Sequence, residues 1–183
     1  MVSKELVFQV IREGGLLPVY ADEIRNLPIS IRPLYQCKFG CSEYGKYPSC
    51  PPNTGAFDDI KRFVKTYKWF IVVTTESTFR YNSDFYLQEF NSYKRVFQEK
   101  LINIQKVLYS MGFFHAFPLF PGSCKLCATC GMPERCFRPQ DVRPAVSAMG
   151  IELMDYLQMR RHILDKLNIP LHTNRLFSII LLE

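Results

Sequence analysis

The sequence predicts an α/β fold: a small sheet of a few strands packed with helices and carrying cysteine-rich metal-binding loops. Three observations lead there. Apolar residues recur at helical spacing in several stretches, with short β-branched apolar runs between them. Seven cysteines gather into two groups, Cys37, Cys41 and Cys50, then Cys124, Cys127, Cys130 and Cys136. The apolar fraction of 48% and aromatic fraction of 14% are enough to bury a core. At 183 residues the chain suits a single α/β domain, 1–183, with two metal-binding segments at 37–52 and 121–139.

Leu6, Val7, Val10 and Ile11 share one face of a short helix that stops at Gly14-Gly15. The next twenty residues, through Pro18, Pro28 and Pro33, read as irregular. Phe57, Ile60, Phe63, Val64 and Tyr67 then recur at helical spacing, with Asp58 and Asp59 in the first turn, where the helix dipole favours acids. Residues 69–75 form a short apolar, β-branched run and predict a buried strand. Asn82-Ser83 offers a start for a long helix whose stripe is Leu87, Phe90, Phe97, Leu101, Ile104, Leu108 and Met111, ending at Gly112. This stripe reads as core packing rather than a cofactor box.

Residues 113–120 predict a second strand, with His115 a structural residue in its middle. Pro121-Gly122-Ser123 then delivers the chain to Cys124, which puts the cysteine loop at an edge of the sheet. Asp141-Val142-Arg143-Pro144-Ala145 looks like a helix start with proline in the first turn, broken at Met149-Gly150-Ile151. Leu153, Leu157, Leu164 and Leu167 suggest one further helix, ended near Asn168-Ile169-Pro170. Residues 176–182 are nearly all apolar and predict a central or well-covered strand.

The chemistry lies in the cysteines. In Cys124-Lys125-Leu126-Cys127-Ala128-Thr129-Cys130 a cysteine recurs every third residue, and Cys136 and Pro139 follow. Ferredoxins open their cluster loops with the same Cys-x2-Cys-x2-Cys run and close them with Cys-Pro. A cuboidal iron–sulfur cluster suits such a loop, since each iron takes one thiolate and sulfides bridge the rest. Zinc is the alternative: it prefers two separated cysteine pairs, but four ligands would suffice for it. The spacing therefore predicts one or two iron–sulfur clusters, of the 4Fe-4S kind, ahead of zinc. Cys37, Cys41 and Cys50 sit among Gly40, Gly45, Pro48, Pro51 and Pro52, which fix tight turns. Three cysteines could hold a cluster with one open iron, borrow a fourth ligand from the later group, or stay as inert thiols.

Seven is an odd number, which argues against a fully paired disulfide framework and points to a reducing cytoplasm. The first residues lack a secretory pattern, and no apolar run reaches membrane-spanning length. The formal charge of +6 is modest. The basic pairs Lys61-Arg62, Lys94-Arg95 and Arg160-Arg161 read as solvated helix faces, not as a nucleic-acid surface. Gly14-Gly15 lacks the strand context of a phosphate loop, and no Ser–His–acid set can be recognised.

The chain resembles the cysteine-rich predicted metal-binding proteins of domain-of-unknown-function family 2284. The resemblance covers most of the chain from Cys37 onward. It rests on Cys37, Cys41, Tyr44-Gly45 and Cys50-Pro51-Pro52, then Cys124-Lys125-Leu126-Cys127, Cys130 and Cys136-Phe137-Arg138-Pro139, then Arg143-Pro144 and Gly150-Ile151-Glu152-Leu153. Where the family reads Ser-Met-Glu-Ala, this chain reads Ala145-Val146-Ser147-Ala148. The resemblance implies metal binding through the seven cysteines, and an anaerobic bacterial or archaeal setting, but no particular reaction.

Three functions follow as expectations. The first is an iron–sulfur electron-transfer or redox accessory module of anaerobic metabolism, serving a redox partner protein or a metalloenzyme such as a corrinoid or radical enzyme. Lys125, Arg135, Arg138 and Arg143 would raise its cluster potential. The second is an enzyme using an open iron at Cys37, Cys41 and Cys50, for which Glu43, Tyr44 and Tyr47 are the local acid–base candidates. The third is a zinc-stabilised interaction protein.

Overall fold

The computed structural model describes residues 4–75, 86–170 and 175–183. Among these residues, six α-helices and a four-stranded antiparallel sheet make up a mixed α/β fold. The strands are β1 (Leu17–Glu23), β2 (Trp69–Thr74), β3 (Phe117–Pro118) and β4 (Phe177–Leu182), in spatial order β1-β2-β4-β3. The central pair runs in continuous register from Trp69 opposite Leu182 to Thr74 opposite Phe177. Every residue of β4 is buried, as its apolar run predicts for a strand covered on both faces.

Alternation along the central strands feeds two cores. Phe70, Val72, Ile179 and Leu181 point to one face, where they meet α3 (Phe57–Val64), α5 (Leu153–Met159) and α6 (Arg161–Lys166) through Ile60, Val64, Tyr156, Leu157 and Leu164. Ile71, Val73, Ile180 and Leu182 point to the other, where they meet α1 (Lys4–Glu13) and α4 (Tyr86–Ser110) through Val7, Ile11, Phe97, Leu101 and Leu108. The remaining helix, α2 (Arg32–Gly40), carries Cys37 in its last turn. Among the described residues no helix is long and apolar enough to cross a membrane.

Several expectations need correction. The stretch after Gly15 is not irregular throughout: it contains β1, and Pro18 is tolerated because β1 is an edge strand. α2 also forms where irregular chain was expected, opened by Pro33 in its first turn, where a missing N–H costs nothing. The strand expected over 113–120 shrinks to Phe117–Pro118, because residues 113–116 turn instead, with Ala116 N–H donating to Phe113 O at 3.2 Å. His115 is exposed in the turn before it. Beyond β3 the chain changes partner: Phe120 N–H donates to Pro144 O, and Val146 N–H donates back to Phe120 O. That exchange takes up residues 144–146 and displaces the helix expected from Asp141. Only a short 3-10 turn, Ser147–Met149, follows, closed by Gly150 at φ +65°. The last predicted helix is two, α5 and α6, separated at Arg160. Leu6 and Leu87, assigned to apolar stripes, are exposed. The Asn82-Ser83 helix start lies outside the described residues.

Candidate metal centres

The loop after the edge strand β3 turns its four cysteines inward. Cys124, Cys127, Cys130 and Cys136 line one small cavity together with Pro48 and Phe137. Cys124 is buried and the other three are partly buried. The loop closes on itself through Arg135 N–H to Gly131 O, 3.0 Å. Arg138 reaches across it, donating to Leu126 O at 3.2 Å and pairing with Asp141 at 2.9 Å. Gly131 has room for nothing larger: a Cβ there would sit 2.4 Å from Arg135 O.

Cys37, Cys41 and Cys50 form the second group. Cys37 and Cys41 flank the end of α2, where Cys41 N–H donates to Cys37 O at 3.2 Å. Cys50 is only 7% exposed, whereas Cys41 is open to solvent. The turn between them is held by Asn53, which donates to Gly45 O and Tyr47 O at 3.2 and 3.0 Å. Cys37 Sγ lies 3.7 Å from Ser147 Oγ. Ser147 also lines a cleft of about 510 Å³, together with Arg32, Gln36, Gly122, Glu152 and Arg175.

Burial pushes the thiols of Cys50 and Cys124 up to about 11, with neighbouring cysteines adding to the rise in both cases. Both are therefore neutral in the metal-free chain at neutral pH, and metal binding would release their protons. Among the described residues no three His, Cys, Asp or Glu side chains stand in a ready single-ion arrangement.

The two groups are fastened to each other by residues whose roles were not legible in the cysteine spacing. Ser49 is fully buried: its hydroxyl accepts from Cys124 N–H at 2.7 Å and its carbonyl accepts from Ala145 N–H at 2.9 Å. Gln98 of α4, also fully buried, brackets Cys124. It donates to Ser123 O and accepts from Lys125 N–H, both at 2.8 Å. Glu43 accepts from Lys125 Nζ and from Ser123 Oγ, each at 2.5 Å. Lys125 also donates to Tyr47 Oη at 3.0 Å and lies 4.3 Å from the centre of that ring.

These contacts revise several expectations. Glu43, named above as an acid–base candidate, is a clamp between the cysteine groups. Burial raises its pKa, but hydrogen bonds from Lys125 and Ser123 outweigh that and hold it below the ordinary carboxylate range. Lys125 spends its charge on Glu43. Arg143 is tied to Gln105 Oε1 at 2.9 Å, and Arg135 lies over the Phe137 ring. Tyr47 packs within the clamp, and Tyr44 is half-buried in the same turn. The pair Lys94-Arg95 is not a solvated face: Arg95 is exposed, but Lys94 is 6% exposed. Burial disfavours its charge, which Glu43, Cys50 and Cys41 favour and Lys125 opposes. The signal for Lys94, Gln98 and Gln105 was present as polar residues interrupting the buried stripe of α4 at helical spacing.

No curated protein and no solved structure matches the chain. The family model does match, over residues 23–182, and it reaches upstream of Cys37 to the end of β1. The chain belongs to DUF2284, a family of predicted metal-binding proteins.

Proposed function

We propose that this protein binds iron–sulfur clusters through its seven cysteines and works as a redox module in anaerobic metabolism. One observation carries the reading: four thiols from a single loop line one small cavity, with no carboxylate or imidazole among its walls. An all-sulfur donor set around a buried space fits a cubane held by Cys124, Cys127, Cys130 and Cys136. Bound there, such a group would accept and pass single electrons. Gln98 and Ser49 hold the backbone around Cys124, so the loop keeps its shape when the redox state changes. The net charge of +6 favours an acidic redox partner protein or metalloenzyme.

A second reading, an enzyme with an open iron at Cys37, Cys41 and Cys50, is favoured by the cleft. Three thiols leave one ligand position unfilled, and Ser147 separates Cys37 from a cleft of about 510 Å³ with apolar walls and a charged rim. Ser147 and Gln36 would meet a molecule bound there.

Iron, zinc and acid-labile sulfide in protein purified without oxygen test both. About eight irons with matching sulfide mean a cluster in each group, and about four mean one cubane, in the four-cysteine loop. Zinc near one equivalent without sulfide overturns both readings and leaves a zinc-stabilised interaction protein.

A further inference from the structure

A second cavity, of about 210 Å³, adjoins the four-cysteine loop. Helix α4 supplies one wall through Asn91, Ser92 and Arg95, and the loop supplies another through Lys125, Cys127 and Cys130. Arg95 lies four residues after Asn91 and three after Ser92, so these side chains share one side of the helix. None of the three makes a side-chain hydrogen bond or ion pair with another described residue. Lys125 is held in place: its side chain is 12% exposed, and Nζ donates to Glu43 Oε1 at 2.5 Å and to Tyr47 Oη at 3.0 Å. An ammonium carries three N–H groups, so one stays uncommitted. Among the described residues no carboxylate lines the cavity. Glu43 matches the charge of Lys125, which leaves Arg95 as a surplus of about +1 at the wall. The volume lies below the roughly 300–1,000 Å³ of sites for drug-sized molecules, so the space suits a single small group.

We propose that this cavity binds a small oxyanion, a phosphate or carboxylate group, through Arg95 and Lys125, with Asn91 and Ser92 as further hydrogen-bond donors. A guanidinium offers paired N–H groups that match two oxygens of such an anion, and the ammonium adds a point charge from the facing wall. The amide of Asn91 and the hydroxyl of Ser92 donate to the remaining oxygens. Cys127 and Cys130 line this cavity as well as the smaller one inside the loop, so the anion sits beside whatever the loop holds. The donors come from α4 and from Lys125, not from the thiols, so the site does not depend on which metal the cysteines take.

The test is calorimetric titration of inorganic phosphate, and separately of acetate, into protein purified without oxygen, at low ionic strength. Saturable binding of at least one of them at a single site is expected, and the tighter of the two identifies the group. Arg95→Gln should weaken that binding about tenfold, the usual scale for losing a charged hydrogen-bond donor. Ser92→Asp, which places a carboxylate in the cavity, should abolish it. Arg95 and Ser92 are both exposed, so neither change threatens the fold. Lys65→Gln removes an exposed cation outside the cavity and should leave the affinity unchanged. Absence of saturable binding to wild-type protein overturns the proposal, as does equal affinity in Arg95→Gln or Ser92→Asp. An equal loss in Lys65→Gln also overturns it, because the attraction would then belong to the net charge of +6 and not to a site. Iron and sulfide counted on the same samples keep the two readings apart. Phosphate binding without clusters retains this site and removes the redox module, and clusters without anion binding do the reverse.

Discussion

The two cysteine groups are built in different ways. Cys124, Cys127, Cys130 and Cys136 belong to one loop, and that loop encloses their cavity largely by itself. Cys37 and Cys41 sit at the end of a helix, Cys50 lies beyond a turn, and the polar neighbour of Cys37, Ser147, comes from a segment about a hundred residues later. The first is a local site attached to a sheet edge. The second exists only where α2, the 3-10 turn at Ser147–Met149 and the Ser49 clasp meet. Local sites survive changes elsewhere in the fold, whereas assembled sites report on it. The difference also bears on the two proposed readings: the loop encloses its cavity, and the assembled group adjoins the cleft through Ser147.

Cysteine replacement tests the division most severely. On the proposed reading with a cluster in each group, Cys127→Ser should remove about half of the bound iron, and Cys41→Ser the other half. Loss of all iron from either variant would break the comparison, because the seven cysteines would then share one centre. The clamp should come next. Glu43→Ala leaves Lys125 without its carboxylate, in a pair whose side chains are 12% and 31% exposed. Urea unfolding of the metal-free protein should show a loss of about 2 kcal/mol, between the surface and buried limits for broken ion pairs.

A pair of glycine variants sharpens the contrast. In Gly150→Ala the new Cβ would sit 2.6 Å from Ser30 O at a left-handed backbone position, which costs about 1–3 kcal/mol and shifts Ser147 away from Cys37. Iron should be lost from the three-cysteine centre alone. Gly131→Ala crowds Arg135 O and the Phe137 ring and should cost only the loop its iron. Iron counts and cluster EPR distinguish the two.

The smallest expected effect is on acid stability. Because the folded pKa of Glu43 is lowered, its contribution is fully present above the ordinary carboxylate value of about 4.3 and is lost as pH falls through the lowered value. Glu43→Gln should therefore be less stable than wild type at neutral pH and converge with it as pH drops below about 4. A constant gap at all pH values would mean that the Glu43–Lys125 pair contributes packing, not charge.

Much of this molecule was legible in advance, and the particular residues show why. β2, β4, α3 and most of α4 follow from apolar period, which reports burial directly. The four-cysteine grouping was legible because it is local in sequence. β1 was hidden by Pro18, whose effect depends on whether the strand is central or at an edge, and only the assembled sheet decides that. The helix expected after Asp141 was displaced by hydrogen bonds with Phe120 that join segments distant in the chain. Glu43, Ser49, Lys94 and Gln98 look like ordinary polar residues until the partner segment arrives.

The sequence by itself determined membership of a metal-binding family, the α/β class and the grouping of the cysteines. Those properties follow from short-range pattern, burial period and ligand spacing. The tertiary structure alone decided that the sheet is antiparallel, that Glu43 and Lys125 join the two groups, and that a cleft lies beside Cys37. Each depends on contacts between residues far apart in the chain, and no local preference encodes which distant surface a buried polar group will meet.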